Sequence, residues 1–314
     1  MRARIVAIAQ PQMKSSAPRQ AATATQDSLP PLREVAAAHR LIAKKALGQN
    51  FLFDLNLARR IARAAGPFSD SAIVEIGPGP GGLTRALLAE GAQKLIAIER
   101  DARCIPALAA IEGHYPGRLQ IIEGNALEID IEKLVLAGKP ARVCANLPYN
   151  IATALLVRWL EEEPWPPWFD RLVLMFQHEV AERIVAGPSA RAAYGRLSVL
   201  ANWRCKTRIL FNVPAKAFTP PPKVRSSLVE LVPRAVPLAC GVMQLSELTQ
   251  AAFGQRRKML RQSLTKLAGR DAGLLLARAN VNPESRAEEI EIAQFVALAR
   301  ALEDLRRELR SSSG

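Results

Sequence analysis

The chain has 314 residues, of which 49% are hydrophobic and 23% charged, a composition that excludes a disordered polypeptide. Its 43 Lys and Arg against 29 Asp and Glu give a formal net charge of +14, which indicates a polyanionic partner or, alternatively, a basic surface that keeps the protein soluble. No apolar run approaches the roughly 18 residues of a membrane helix, and the four cysteines form no C-x-x-C pair. We therefore expect a soluble intracellular protein with reduced thiols, no membrane association and no bound metal.

The first 40 residues are predicted to be a flexible N-terminal extension. The start of the chain is rich in Ala, Gln, Ser, Thr and Pro, and no acidic residue precedes Asp27. Such a composition provides few side chains for a packed core. Two alternatives stay open, namely a natural start at Met13 and an organelle transit peptide.

Short apolar runs alternate with segments of helical spacing from residue 72 onward. The runs lie at residues 72–76, 95–98, 119–122, 142–145 and 171–176. This alternation predicts βαβ units and a mostly parallel sheet. Residues 205–211 and 227–231 are separated by a Pro-rich loop, and we expect them to pair as an antiparallel edge.

The last part of the chain is predicted to be helical from residue 245. Ser285 and Glu288 have the spacing of a capping box, which predicts that the last helix opens there. The predicted fold is therefore α/β, a Rossmann-like domain over residues 41–235 followed by a smaller all-helical domain over residues 236–314.

Distinctive residues follow four successive strands of the predicted sheet. A glycine-rich loop containing Gly77 and Gly79 follows the first, Glu99 the second, Asn125 the third and Asn146 the fourth. Ligands of open α/β sheets bind at these strand ends, glycines let the backbone approach a ligand, and an acid can hold ribose hydroxyls. The pattern predicts a nucleoside-containing cofactor, and on these residues alone a dinucleotide fits as well as S-adenosylmethionine.

Two further features favour methyl transfer. Glu75, inside the first strand end, suits a cofactor with a cationic amino group. The block Asn146-Leu147-Pro148-Tyr149 suits an adenine amine, because the Asn146 side chain and the Leu147 carbonyl can accept its two N–H bonds. Pro148 restricts Leu147 to an extended conformation, and Tyr149 can stack on an extruded base. The alternative is an ordinary Asn-x-Pro turn.

These motifs resemble those of the small-subunit ribosomal RNA adenine dimethyltransferases, the KsgA type. The likeness runs from Lys44 to the C-terminal helix, and its motifs are Lys44-Lys45-Ala46-Leu47-Gly48-Gln49-Asn50-Phe51-Leu52, Val74-Glu75-Ile76-Gly77-Pro78-Gly79, Asn146-Leu147-Pro148-Tyr149, Phe218-Thr219-Pro220-Pro221-Pro222-Lys223-Val224 and Phe253-Gly254-Gln255-Arg256-Arg257-Lys258. The resemblance implies a class I methyltransferase fold. It also implies that S-adenosylmethionine donates four methyl groups to two adjacent adenosines of 16S-type ribosomal RNA during ribosome biogenesis, giving N6,N6-dimethyladenosines and S-adenosylhomocysteine.

The resemblance also implies roles for individual residues. Those expected to bind the cofactor are Asn50, Leu52, Gly77, Gly79, Glu99, Asn125 and Asn146. Asn146, Leu147, Pro148 and Tyr149 are expected to hold the target adenine. Phe218 is expected to form the wall opposite Tyr149, although a core anchor for the Pro-rich loop is the alternative. The residues expected to contact RNA are Phe218, Lys223, Arg256, Arg257, Lys258 and Arg261.

One departure from the family pattern lies at the cofactor site. The family usually has Asp at the position of Asn125, so a charge-assisted hydrogen bond to the cofactor adenine becomes a neutral one, weaker by about 1 kcal/mol. Arg225 likewise stands where an acidic residue is common.

Other functions stay open at this point. They are methylation of large-subunit RNA, DNA or glutamine, RNA binding without catalysis, and a nicotinamide oxidoreductase. The expected partner is the small ribosomal subunit, and the expected state is a monomer in the bacterial cytoplasm, with a mitochondrion as the second choice.

Overall fold

The structure is a computed structural model that describes residues 4–5, 28–68, 71–135 and 141–311. Within the predicted flexible extension, residues 1–3 and 6–27 lie outside the described part. Residues 32–38 differ from the expectation, because they form a helix whose Leu32 and Ala36 side chains are buried.

The strands agree with the predicted alternation. They are β1 (Arg4–Ile5), β2 (Phe51–Leu52), β3 (Ala72–Ile76), β4 (Leu95–Glu99), β5 (Leu119–Glu123), β6 (Ala141–Ala145), β7 (Phe169–Gln177), β8 (Cys205–Val213), β9 (Phe218–Thr219) and β10 (Ser226–Pro233). Eight of them form one sheet in the order β1-β5-β4-β3-β6-β7-β10-β8, and β2 and β9 form an antiparallel ribbon. The five strands from β5 to β7 are parallel, and β1 is antiparallel to β5. The predicted Rossmann-like sheet is therefore confirmed.

The helices connect the strands and make up most of the C-terminal region. They are α1 (Leu32–Ala38), α2 (Leu55–Ala65), α3 (Gly82–Ala89), α4 (Ile105–His114), α5 (Tyr149–Leu160), α6 (His178–Val185), α7 (Arg196–Arg204), α8 (Val242–Gly254), α9 (Leu260–Ser263), α10 (Thr265–Ala268), α11 (Ala272–Arg278) and α12 (Ile292–Ser311). The prediction that a capping box at Ser285 opens the last helix is wrong. A short 3-10 turn occupies residues 287–289, and the helix begins at Ile292.

The central strands have few polar side chains because both faces of the sheet are covered. All five residues of β4 are buried, including the acid Glu99 at its end. Parallel strands covered on both faces typically show such continuous apolar runs. Glu99 is thus the kind of buried acid that needs hydrogen-bond donors around it.

Two compact units can be described separately. The first comprises Met1–Leu155, Trp168–Gln177 and Leu210–Glu230, and the second comprises Leu156–Pro167, His178–Ile209 and Leu231–Gly314. The units interleave along the chain, whereas the domains expected from the sequence are consecutive, so the boundaries at residues 40/41 and 235/236 stay predictions.

The second unit has its own aromatic core. The ring of Phe253 lies 5.9 Å from that of Tyr194 and 5.5 Å from that of Phe295, between centroids.

Among the described helices, none has the length and apolar character needed to cross a membrane.

Candidate active site

A cleft lies at the carboxyl ends of the parallel strands β3, β4, β5 and β6, within the first unit. The residues predicted to bind the cofactor all line it, namely Asn50, Leu52, Gly77, Gly79, Glu99, Asn125 and Asn146. Leu147, Pro148 and Tyr149 line the same cleft. Open α/β sheets bind ligands at this edge because the loops after parallel strands meet there.

The glycine-rich loop approaches two other parts of the cleft closely. Gly77 and Gly79 have positive φ angles of 68° and 56°, which L side chains rarely adopt. A Cβ atom on Gly79 would lie 3.0 Å from Cδ1 of Phe51, and one on Gly77 would lie 3.2 Å from Cδ of Pro148. The loop therefore packs between the N-terminal segment, which we define as residues 44–52, and the Asn-Leu-Pro-Tyr block.

Two buried carboxyl groups lie beneath the loop. Glu99 is 5% exposed, and its two oxygens accept hydrogen bonds from the backbone N–H groups of Gly79 (2.9 Å) and Asp101 (2.8 Å). Glu75 is 1% exposed and accepts a hydrogen bond from the hydroxyl of Thr84 (2.7 Å). Burial raises the pKa of Glu99 above its usual range and raises the pKa of Glu75 to about 8. The cleft thus favours a ligand that brings positive charge and hydroxyl donors.

Asn125 takes part in a local turn after β5. Its Oδ1 accepts a hydrogen bond from the backbone N–H of Leu127 (3.2 Å), and its Nδ2 donates to Oε1 of Glu128 (2.8 Å). An amide oxygen has two lone pairs, so Oδ1 keeps one acceptor position. The side chain can therefore still accept an amino group of a ligand in the cleft.

The side chain of Asn146 has a defined orientation. Its Nδ2 donates to the backbone carbonyl of Asn50 at 3.0 Å. Because a carbonyl oxygen only accepts hydrogen bonds, this contact assigns the amide nitrogen to the Asn50 side and turns Oδ1 the other way. Asn146 therefore presents an acceptor on the side away from the N-terminal segment.

Tyr149 is held by its hydroxyl group. The Tyr149 hydroxyl lies 2.5 Å from the hydroxyl of Ser226, a fully buried residue at the start of β10. Burial raises the pKa of Tyr149, so the phenol stays neutral. The hydrogen bond fixes the far end of the ring, while the backbone fixes its near end.

Phe218 is not among the residues that line the cleft. Its side chain is 2% exposed and belongs to the apolar core, and its backbone pairs with Leu52 in the β2–β9 ribbon. These contacts agree with Phe218 as a core anchor of the Pro-rich loop, and its place opposite Tyr149 stays a prediction. Lys223, in the same loop, is exposed.

The four basic residues of the second unit that are predicted to contact RNA fall into two groups. Arg256 donates to the backbone carbonyls of Arg191 and Ala192 and lies 3.9 Å from the carboxylate of Glu288, between Nε and Oε2. Arg256 is thus engaged in contacts within the unit. The other three residues predicted to contact RNA in this unit, Arg257, Lys258 and Arg261, are exposed.

Sequence reasoning missed two residues that support the site. Asp101 binds the side chain of Gln49 (3.0 Å), and Ser226 binds Tyr149. The acid two positions after Glu99 was a visible signal for Asp101, whereas no local pattern distinguishes Ser226. Within the residues that the structure describes, no group of three or more His, Cys, Asp or Glu side chains is placed to hold a metal ion.

Comparison with known proteins identifies the family. Residues 40–304 match the model of the family described as ribosomal RNA adenine dimethylase. The chain belongs to this family. The dimethylase family match includes the N-terminal segment, the cleft and the exposed basic residues of the second unit.

Individual relatives and structures agree with this assignment. The chain is 63% identical to the ribosomal RNA small subunit methyltransferase A of Methylobacterium radiotolerans, over 87% of this chain and 93% of the relative. It is 62% identical to the protein of the same name in Azorhizobium caulinodans, over 88% and 94%. It is also similar to the crystal structure of a dimethyladenosine transferase from Plasmodium falciparum, with 25% identity, a TM-score of 0.65 and coverage of 81% and 96%. The 23S rRNA methyltransferase ErmE gives a TM-score of 0.59 at 25% identity, with coverage of 81% and 100%.

Proposed function

We propose that this dimethylase family member transfers methyl groups from S-adenosylmethionine to N6 of two adjacent adenosines in 16S-type ribosomal RNA, giving N6,N6-dimethyladenosines. Relatives more than 60% identical are named for methylation of the small ribosomal subunit and cover most of the chain. The structural observation that carries the proposal is the orientation of Asn146, whose amide nitrogen is bound to Asn50 so that its oxygen is available to a substrate amine.

The cleft residues fit S-adenosylmethionine. The glycine loop lets a ligand approach the backbone at Gly77 and Gly79, and Glu99, which lines the cleft, is an acid of the kind that accepts hydrogen bonds from ribose hydroxyls. The buried carboxyl group of Glu75 suits the cationic part of the donor, and Asn125 keeps an acceptor for the adenine amino group. When bound, this cofactor supplies an electrophilic methyl group and, after transfer, leaves as S-adenosylhomocysteine.

The protein groups then act on the target adenine. N6 is a poor nucleophile because its lone pair is delocalised into the ring. In the first transfer, acceptance of its two N–H bonds by Oδ1 of Asn146 and the carbonyl of Leu147 favours a more tetrahedral nitrogen whose lone pair points at the methyl group. In the second transfer, N6 has one N–H left, which one of these two acceptors holds. Tyr149, held through Ser226, stacks on the unstacked base. Positioning supplies the catalysis, and no strong base is required, because the methylated nitrogen is cationic and acidic and loses its proton to water.

The charge distribution supports an RNA substrate. Arg257, Lys258 and Arg261 are exposed in the second unit, and Lys223 is exposed in the Pro-rich loop of the first. Neutralising phosphates with such side chains releases counterions and supplies affinity that does not depend on base sequence. We propose that the protein acts as a monomer in the bacterial cytoplasm, in keeping with the bacterial origin of its relatives.

The deciding experiment is methylation of small ribosomal subunits that lack the modification, with labelled S-adenosylmethionine and mapping of the label. We expect label at N6 of two neighbouring adenosines. Asn146→Ala should lower kcat by about 10²- to 10³-fold, as removal of one preorganised polar group does in other active sites. Asn56→Ala, a change of the same type on an exposed face of α2, is the matched control. Label on large-subunit RNA or DNA instead, or full activity of Asn146→Ala, would contradict the proposal.

A further inference from the structure

The N-terminal segment is attached to the end of β4 through one glutamine. The side-chain oxygen of Gln49 accepts a hydrogen bond from the backbone N–H of Lys44 (2.9 Å), which closes the segment into a loop. The Nε2 of the same side chain donates to Oδ2 of Asp101 at 3.0 Å. One side chain therefore shapes the segment and joins it to the sheet.

Asp101 is itself held in place. Its carboxylate accepts from Nε (2.9 Å) and Nη2 (2.6 Å) of Arg103, and the same Nη2 also donates to the carbonyl of Ile42 (3.2 Å). The Asp101 residue is only 6% exposed. We call Gln49, Asp101 and Arg103 the latch, since they join residues 42–49 to the loop after β4.

The latch lies between the two halves of the candidate site. On the donor side, the backbone N–H of Asp101 donates to Glu99 (2.8 Å), the acid assigned to the ribose. On the acceptor side, Asn50 follows Gln49 directly, and its backbone carbonyl accepts a hydrogen bond from Nδ2 of Asn146 (3.0 Å). Gln49 and Asn50 thus connect Asp101 to Asn146 through two side-chain hydrogen bonds and one peptide unit.

We propose that Gln49 and Asp101 are positioning residues for methyl transfer, which hold the Asn50 carbonyl where it orients the side-chain amide of Asn146. This role rests on the proposed function. The side-chain amide of Asn has a broad terminal torsion, so nothing intrinsic distinguishes its two orientations. Loss of the Asn50 contact would let the amide turn its nitrogen towards the substrate amine. A donor would then face N–H groups that need an acceptor.

The first test is Gln49→Ala, measured on unmodified small subunits at saturating S-adenosylmethionine. We expect kcat to fall by about 10- to 100-fold, because small displacements of positioning groups have effects of that size. The Kd for S-adenosylmethionine should rise only by about fivefold, the equivalent of one neutral hydrogen bond. Gln93→Ala is the matched control, an exposed glutamine at the far end of β4 whose side chain binds the carbonyl of Gly91.

The second test reverses the polarity of the contact. Gln49→Glu places a carboxylate against Asp101 and should lower kcat further than Gln49→Ala does. Adding Asp101→Asn restores a donor–acceptor pair, because the new amide can donate to the carboxylate introduced at position 49, which still accepts from Lys44. Arg103 shares Oδ2 of Asp101 with Gln49, so the double variant exchanges that contact for one with the introduced carboxylate and keeps a single negative charge beside the guanidinium. We expect the double variant to recover at least tenfold in kcat over Gln49→Glu, an estimate of about one well-placed hydrogen bond to a charged group.

The outcomes separate the two proposals. Loss of kcat in Gln49→Ala together with recovery in the double variant supports the latch. An unchanged kcat in Gln49→Ala with only a weaker donor affinity overturns it, and so does a double variant no better than Gln49→Glu. Should Gln49→Ala fail to fold, the comparison of Gln49→Glu with the double variant still decides. If the unaltered protein does not methylate small subunits, that result contradicts the proposed function itself, and the positioning role of the latch, which rests on it, is contradicted too.

Discussion

The buried carboxyl group of Glu75 predicts that donor binding depends on pH. Glu75 is 1% exposed, and its pKa is raised from the ordinary 4.5 to about 8, first by burial and to a smaller extent by the neighbouring Glu99, against the hydrogen bond from Thr84. A cationic ligand in the cleft interacts favourably with the ionised form only. Binding of S-adenosylmethionine should therefore draw a proton off Glu75.

The pKa of Glu75 sets the size of the pH effect on the affinity for S-adenosylmethionine. At pH 7 a group with a pKa of about 8 is ionised in roughly one molecule in ten. Affinity that requires the ionised form is then about tenfold lower at pH 7 than at pH 9, which corresponds to about 1.4 kcal/mol. Below pH 7, each further unit should weaken binding by close to another factor of ten, down to the pKa of Glu75 in the complex.

Calorimetric titration with S-adenosylmethionine between pH 6 and pH 9 measures this directly. Two buffers with different ionisation enthalpies give the number of protons released, which should be about 0.9 at pH 7. Glu75→Gln is the control, because ionisation of the ligand affects both proteins equally while only the unaltered one can lose a proton at this position. Equal pH dependence and equal proton release in the two proteins would refute the reasoning.

The raised pKa of Glu75 also makes the free energy of unfolding depend on pH. Because the folded-state pKa of Glu75 lies above the unfolded value, the native state binds more protons between pH 4.5 and pH 8. Stability from this group is fully present below that window and decreases as pH rises through it. In the absence of donor, the free energy of unfolding of Glu75→Gln should rise relative to the parent by a few kcal/mol across the window, measured by urea unfolding.

Three further changes test other parts of the site. Gly48→Ala should weaken donor binding, because φ there is +64° and the added methyl would displace the side chain of Asn150, which lines the cleft. Gly117→Ala, with φ of +74° and no atom within 4 Å, controls for backbone strain in the same calorimetric titration. Tyr149→Phe keeps the stacking ring but loses the hydroxyl contact with Ser226, and should lower kcat about fivefold with an unchanged Kd for the donor. An unchanged kcat would show that this contact does not contribute to catalysis. Arg257→Ala should reduce the slope of log affinity for RNA against log salt concentration by about 1. An unchanged slope would show that Arg257 contacts no phosphate of the RNA.

Local patterns predicted the sheet and the position of the cleft. Apolar runs ending in glycine, acid or amide residues have few alternatives to buried parallel strands, and the carboxyl ends of such strands meet at one edge. For that reason the sequence predicts that Gly77, Glu99, Asn125 and Asn146 lie together, and the structure brings them to one cleft.

Contacts between distant parts of the chain were not predictable in the same way. The hydroxyl of Ser226 meets Tyr149 across 77 positions, and the ring of Phe218 is buried because β9 pairs with β2. Arg256 belongs to a basic run, and only the fold shows that it binds carbonyls within its own unit. Charge and motif indicate which residues can contact a ligand, but packing decides which side chains are used internally.

The two-residue ribbon of β2 and β9 joins the parts of the chain that we propose bind the two substrates. Leu52, which lines the donor cleft, pairs with Phe218 at the start of the loop that carries Lys223. If donor binding restrains β2, the pairing should restrain the Pro-rich loop as well, and the loss of conformational entropy would then be shared between the two binding events. Linkage then requires reciprocity: whatever factor the donor adds to RNA affinity, RNA must add to donor affinity.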